Sequence, residues 1–270
     1  MTASPQRAAE FAGDEVGRHD TLNSITANHS TAPAEASFLP GPVLLLGAPG
    51  VGKGTQAQLL VTKYGIPQIS TGDLLRGNIA KGTQLGMQAQ QIMSTGKLVD
   101  DSIVNQMVLA RLHEKDTRRG YILDGYPRTL DQARFLDTTL ADLALAPNLP
   151  VVAISILVAF DQLLQRITGR RICPTCKSIY NIHSNPPAIA GRCDVDGTHL
   201  IQRPDDTEAV FIERMKTFEH QTAPVISHYR ALGRFQEVDG DQPVESVIAA
   251  IEASLLRLRQ AAHQQLTASN

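Results

Sequence analysis

Short apolar runs alternate with stretches of helical periodicity along most of the chain. Pro42-Val43-Leu44-Leu45-Leu46 is apolar throughout, and further strand candidates lie at residues 66–70, 121–123, 151–158 and 234–238. Helical segments fall between them: one opening near Lys53, then 101–115, 130–143, 161–167 and 206–232. A last one runs from Val244 to about Ala261, opened by Pro243. A run such as 151–158, nearly without polar residues, implies burial on both faces, hence a parallel sheet covered by helices. In such sheets ligands gather outside the carboxyl ends of the strands. Residues 1–41 are rich in Ala, Ser, Thr and Pro, hold no sustained period, and read as a disordered extension. Glu10, Asp14, Glu15, Asp20 and Glu35 count against a transit peptide there.

The first apolar run leads directly into Gly47-Ala48-Pro49-Gly50-Val51-Gly52-Lys53-Gly54-Thr55, and a helix follows. A strand, a glycine-dense turn and a helix in that order make a phosphate cradle. The glycines let backbone N–H groups turn onto an oxyanion, the helix N-terminus adds partial positive charge, and Lys53 reaches the outer phosphates. The residue after Lys53 is Gly54, so the usual hydroxyl is displaced to Thr55. Tyr121-Ile122-Leu123-Asp124 sets a carboxylate at the end of a buried strand beside that loop, where nucleotide-bound Mg²⁺ is held directly or through water.

Arg76, Arg128, Arg166, Arg170, Arg203 and Arg214 follow glycine-rich turns or sit at helix ends. Phosphoryl transfer works by positioning and by fixed positive charge around the moving group, and one arginine finger is worth ~10³–10⁵ in rate. A net charge of −2 gives no hint of a nucleic-acid surface, and no apolar run approaches the roughly 20 residues that span a bilayer. The 3 cysteines, an odd number between Cys173 and Cys193, argue against a disulfide framework and suit a reducing compartment. Cys173-Pro174-Thr175-Cys176 and Cys193-Asp194-Val195-Asp196 form two short clips with the spacing of a tetrahedral Zn²⁺ site. Asp196 holds the fourth motif position and Asp194 competes for it, while His183 and His199 lie nearby off the motif. A metal-free segment and a Cys173–Cys176 redox pair are the other readings.

The motifs taken together resemble the adenylate kinase family. They are the phosphate loop through Gln56, Ser70-Thr71-Gly72-Asp73-Leu74-Leu75-Arg76, Gly96-Lys97-Leu98-Val99, Asp124-Gly125-Tyr126-Pro127-Arg128-Thr129, Gly169-Arg170-Arg171 and Arg203-Pro204-Asp205-Asp206. The likeness covers roughly Pro42 to Ala261. It implies an α/β phosphate-loop nucleoside monophosphate kinase fold: a five-stranded parallel sheet flanked by helices, with NMP-binding and lid insertions. The expected division is a core of 42–69, 100–168 and 207–262, an NMP-binding domain of 70–99, a zinc-bearing lid of 169–206 and a tail of 263–270. The implied reaction is reversible, Mg-dependent transfer from ATP to AMP giving two ADP, by a cytoplasmic monomer without nucleic-acid or membrane partners.

By the same resemblance, Gly50, Val51, Gly52, Lys53, Gly54, Thr55, Arg166, Ile179, Tyr180 and Gln242 contact ATP. Thr71, Arg76, Lys97, Val99, Gly125, Arg128, Gln132, Arg203 and Arg214 hold AMP. Lys53, Arg128, Arg166, Arg170, Arg203 and Arg214 form the catalytic set, and Cys173, Cys176, Cys193 and Asp196 the structural zinc site. Asp205 and Asp206 pair with lid arginines, and the pair also sits where it would N-cap the 206–232 helix. Gln132, one helical turn beyond Arg128, is expected to read the adenine edge; relatives acting on UMP or CMP usually carry Asn there and a short lid. A kinase for another monophosphate and a nucleotide-binding module without turnover are the alternatives. Gln132, Thr71 and the long lid weigh against the first, and the full set of arginines against the second.

Overall fold

The computed structural model describes residues 41–143 and 149–268, so the expected extension, apart from Gly41, lies outside the described residues. The strands are β1 (Gly41–Leu46), β2 (Gln68–Ser70), β3 (Gly120–Asp124), β4 (Val152–Leu157), β5 (Arg170–Ile172), β6 (Ile179–Asn181) and β7 (Phe235–Asp239). Five of them form one parallel sheet in the order β2-β3-β1-β4-β7, while β5 and β6 pair antiparallel by themselves. The helices are α1 (Lys53–Tyr64), α2 (Thr71–Ala80), α3 (Gln84–Ser94), α4 (Asp101–Leu112) and α5 (Leu130–Leu143). They continue with α6 (Phe160–Thr168), α7 (Glu208–Thr217), α8 (Ala223–Ala231) and α9 (Val244–Ala268).

Both faces of the sheet are apolar because successive strand residues alternate sides and every side is covered. Val43, Leu45, Val152, Ile154 and Ile156 pack with Leu60 of α1, Leu163 of α6, Phe211 of α7 and Ile251 of α9. Leu44, Leu46, Tyr121, Leu123 and Ala153 face the other way, onto Val108 of α4, Leu136 of α5 and Tyr229 of α8. With two apolar faces, polarity alone does not set strand register. A buried guanidinium helps: Arg259 of α9 donates to the carbonyls of Pro42, at 2.8 Å, and Pro150, tying together the amino ends of β1 and β4.

The sequence-based elements differ from the structure in instructive places. The helix expected over 206–232 is two, α7 and α8, joined by a π-helical turn at Phe218–Thr222. Pro224 stands in the first turn of α8, where the missing N–H is tolerated but an unbroken α ladder is not. The last helix runs past Ala261 to Ala268, so most of the expected tail is helical, consistent with a sequence free of Gly and Pro. Residues 70–99, for which no helices were anticipated, hold α2 and α3. These two pack so closely that a Cβ on Gly86 would lie 2.2 Å from the carbonyl oxygen of Asn78.

The chain leaves the carboxyl ends of the parallel strands at the glycine-rich loop after β1, Thr71 after β2, Gly125 after β3 and Gly240 after β7. The crevice at that edge is where the candidate chemistry collects.

Candidate active site

The phosphate loop is pressed onto the neighbouring strand. At Gly47, with φ of 130°, a Cβ would sit 2.5 Å from the carbonyl oxygen of Ile156, so the turn excludes any larger residue. The N-cap of α1, Gly52, is left-handed and supplies no side-chain cap. The first N–H groups of α1 are therefore available to an anion, reinforced by the helix dipole. Lys53 Nζ donates to the carbonyls of Gly47 at 2.7 Å and Ala48 at 3.0 Å, which places the ammonium inside the loop. Burial pushes its pKa down to about 8; Asp124 acts the other way, and Arg128, Arg214 and Arg170 lower it further. Asp124, at the end of β3, accepts from Gln68 Nε2 at 2.9 Å.

Beside the loop, Thr71, Arg76, Lys97, Val99, Gly125, Arg128, Gln132 and Arg214 line one cleft, with about 560 Å³ of empty space including its open side. Arg203 does not line it, but reaches its rim through Asp73. Asp73 accepts from Arg76 Nε at 3.1 Å and lies 3.5 Å from Arg203 NH2. Burial works against ionisation of Asp73, yet Arg76 and Arg203 hold its pKa below the usual carboxylate value. Thr71 Oγ1 and Arg128 Nε both donate to Gly125 O, at 2.7 and 2.8 Å, so one carbonyl sets two side chains around the cleft.

The remaining cations are also gathered by acidic or carbonyl oxygens. Arg214 donates to Asp205 at 3.1 Å, Arg170 grips the fully buried Asp206, and Arg166 donates through both terminal nitrogens to Gly240 O at 3.1 Å. Asp205 and Asp206 are thus ion-pair partners, whereas the cap of α7 is Thr207, whose side chain accepts from Val210 N. Burial and the adjoining Arg214 push Arg128 down to about 10; burial, then Arg76 and Arg170, do the same to Arg203. Such shifts arise where several like charges share a partly dry space.

The segment carrying β5 and β6 lies over the loop. Ile179 Cδ1 is 3.3 Å from where a Cβ on Gly54 would stand, and Gln58 Nε2 donates to Lys177 O at 3.1 Å. Tyr180 is placed differently from Ile179. It is buried within that segment's own small core, its hydroxyl accepting from Asp194 N at 2.8 Å. Gln242 is exposed after β7 and donates to Asp239 at 3.0 Å.

Two matching turns bring Cys173, Cys176, Cys193 and Asp196 together, with ligand atoms all within 4.8 Å of one another. In each turn the fifth residue donates its N–H to the carbonyl of the first: Lys177 to Cys173 at 3.1 Å, Gly197 to Cys193 at 2.9 Å. Both adopt positive φ, 66° and 71°, and Lys177 is the one non-glycine to do so among the described residues. Cys176 Sγ is 3.4 Å from Cys193 Sγ, and Cys173 Sγ is 3.3 Å from Asp196 Oδ2, spacings that suit tetrahedral coordination. Asp196 is held far below the usual carboxylate range, chiefly by the backbone N–H of Thr198. Asp194 instead accepts from Ala188 N at 2.9 Å.

Two side chains near the cleft escaped the sequence reading as functional groups, Asp73 and Asp101. Asp73 stands inside Ser70-Thr71-Gly72-Asp73-Leu74-Leu75-Arg76, three residues before Arg76, and that spacing was the available signal. Asp101 opens α4, where an acid is ordinary for a helix start. In the structure it holds both Thr129 Oγ1 and Gln132 Nε2.

A parallel sheet, a phosphate loop and a cationic crevice covered by two insertions define a phosphate-loop nucleoside monophosphate kinase. The family profile described as adenylate kinase matches residues 45–234. The chain is 44% identical over 214 residues to the adenylate kinase of Thermodesulfovibrio yellowstonii, covering 79% of this chain and 98% of that one. To the adenylate kinase of Nitrosococcus oceani it is 47% identical over 206 residues, covering 76% and 93%. To that of Moorella thermoacetica it is 45% identical over 215 residues, covering 80% and 98%. The chain belongs to the adenylate kinase family, enzymes that move a phosphoryl group reversibly between ATP and AMP.

The position of Lys53 predicts a pH dependence. The ammonium is charged below about pH 8 and neutral above it, so kcat/KM for ATP is expected to fall along an alkaline limb centred there. With phosphates bound, the charged form is favoured, and the limb in kcat moves to higher pH. A flat kcat/KM profile from pH 7 to 9.5, measured with a coupled ADP assay, contradicts this.

Proposed function

We propose that ATP lies along the phosphate loop from Gly50 to Thr55 under Ile179, with Arg166 beside it, and that the cleft between β2 and α5 takes AMP. The observation that carries this reading is the convergence of Lys53, Arg128, Arg170, Arg203 and Arg214 on one edge of the sheet, where burial and mutual repulsion lower the pKa of Lys53, Arg128, Arg203 and Arg214. An oxygen of the AMP phosphate attacks the γ-phosphorus of ATP in line. The bond from that phosphorus to the β-bridging oxygen breaks, and two ADP result. The nucleophile is already an oxyanion, so no protein base is needed to remove a proton. Catalysis rests on alignment and on charge held where the equatorial oxygens pass.

In this reading residues 70–99 form the NMP-binding domain, 169–206 the lid, and 42–69, 100–168 and 207–262 the core. Closure of the two insertions removes water that would otherwise accept the phosphoryl group. Asp124 would hold the Mg²⁺ that comes with ATP, directly or through water, and that ion would neutralise phosphate charge. Tyr180 belongs to the lid's interior, beside Cys173 and Cys193. Gln242 borders the ATP site from the loop after β7. The enzyme acts as a cytoplasmic monomer; the three cysteines, free of disulfides, suit a reducing compartment.

Cys173, Cys176, Cys193 and Asp196 would hold a structural Zn²⁺. The lid's buried apolar residues are Ile172, Cys173, Tyr180 and Cys193, with the half-buried Leu200 against them, too little apolar surface to stabilise it unaided. Three thiolates and a carboxylate would supply four protein ligands, the set of a structural rather than a catalytic site.

Two measurements test these assignments. Lys53→Ala and Arg128→Ala should each lower kcat/KM by ~10²-fold or more while thermal unfolding stays close to wild type. A variant as active as wild type removes that residue from the site. Protein purified under reducing conditions without chelator should contain about one zinc per chain, and chelation should render 169–206 sensitive to protease. A metal-free preparation with a protease-resistant lid contradicts the zinc assignment.

A further inference from the structure

Gln132 is 2% exposed and its amide is held at both ends. Oε1 accepts from the backbone N–H of Arg128 at 2.7 Å, and Nε2 donates to Asp101 Oδ1 at 2.7 Å. The other oxygen of Asp101 accepts from Thr129 Oγ1 at 2.5 Å, so the carboxylate is itself fixed. Capping does not account for Asp101, because Asp100 caps α4 by accepting from Ser102 N at 2.9 Å. Asp101 does not line the cleft. Gln132 does, beside Met93, Val99 and Val104, an apolar wall suited to a flat ring.

A side-chain amide can ordinarily turn half a revolution about its last bond, exchanging its oxygen and its NH₂ at little cost. Here the turned amide would face an N–H with its own NH₂ and a carboxylate with its oxygen. Two hydrogen bonds, one of them charge-assisted, would become two repulsive contacts in a buried place. The amide therefore has one direction. Each end keeps one hydrogen-bonding position: the second hydrogen of Nε2 and the second lone pair of Oε1. Adenine offers an N6 amino donor beside a ring-nitrogen acceptor, and an amide in this direction meets that pair. Guanine offers O6 beside N1–H, donor and acceptor exchanged, which only the turned amide meets.

We propose that Asp101 is a positioning residue that sets base specificity: by pinning Gln132 in one direction it admits adenine and rejects guanine. The proposal rests on the reading above that Gln132 faces the base of the monophosphate. Asn in place of Asp101 can donate as well as accept, and Ala there does neither, so both release the pin.

The test is kcat/KM for AMP and for GMP, with ATP as donor, in wild type, Asp101→Asn, Asp101→Ala and Gln132→Ala. The AMP-to-GMP ratio is expected to fall by ~10-fold or more in both Asp101 variants, the scale of one charge-assisted hydrogen bond. Because it is a ratio within one preparation, a partly unfolded variant does not imitate the effect. AMP and GMP falling by the same factor, or GMP turnover staying undetectable in both variants, overturns the proposal. Gln132→Ala with an unchanged KM for AMP overturns instead the reading beneath it, that Gln132 contacts the base.

Discussion

Like charges held close together in a space with little water are the constraint around which this molecule is built. Lys53, Arg128, Arg203 and Arg214 each have a pKa lowered first by burial, and further by one another or by Arg76 and Arg170. Such a cluster is tolerable in a folded protein only with oxygens among the cations. The structure supplies them: Asp73 between Arg76 and Arg203, Asp205 on Arg214, Asp206 on Arg170, and loop carbonyls on Lys53. Those aspartates and carbonyls stand where phosphate oxygens would serve equally well. In the proposed function, a nucleotide pair with its chain of phosphates would replace these separate partners with one concentrated anion.

The parallel sheet holds this cluster in place because its strands end together. β1 delivers the phosphate loop, β3 delivers Asp124 and Gly125, and β2 delivers Thr71, while both faces behind them are filled by large side chains. The cations beside β5 and β6 arrive on a thinner scaffold. Arg170 and Arg203 flank a segment whose interior is little more than two thiols, a tyrosine and a leucine. Two equivalent turns bring four ligand atoms together there, and a metal held among them, as proposed, would give that segment a rigidity its apolar content cannot.

Much of this was legible in the chain. Strands covered on both faces announce themselves as apolar runs, and Gly47 to Thr55 directly after such a run has few other uses. The pairing of Cys173-Pro174-Thr175-Cys176 with Cys193-Asp194-Val195-Asp196 was legible by spacing, and so was Asp196 at the fourth position; the turn geometry adds why Asp194 does not compete, since it accepts from Ala188 N. The helices of residues 70–99 were hidden because Gly72, Gly77 and Gly86 weaken helical propensity; Gly86 is there for close packing onto Asn78. The break between α7 and α8 was masked since Phe218 to Thr222 continues a helical composition. Asp101 was invisible as a functional group because its work is done on Gln132, across 31 positions of sequence.

The central claim is that the clustered cations exchange their aspartate partners for phosphate. A crystal structure with a bridged diadenosine polyphosphate bound tests it most directly. Arg76, Arg170, Arg203 and Arg214 should be found turned from Asp73, Asp206 and Asp205 onto the phosphate chain, with Lys53 Nζ drawn out of the loop toward it. Finding the ligand bound while those side chains keep their aspartate and carbonyl partners would contradict the account.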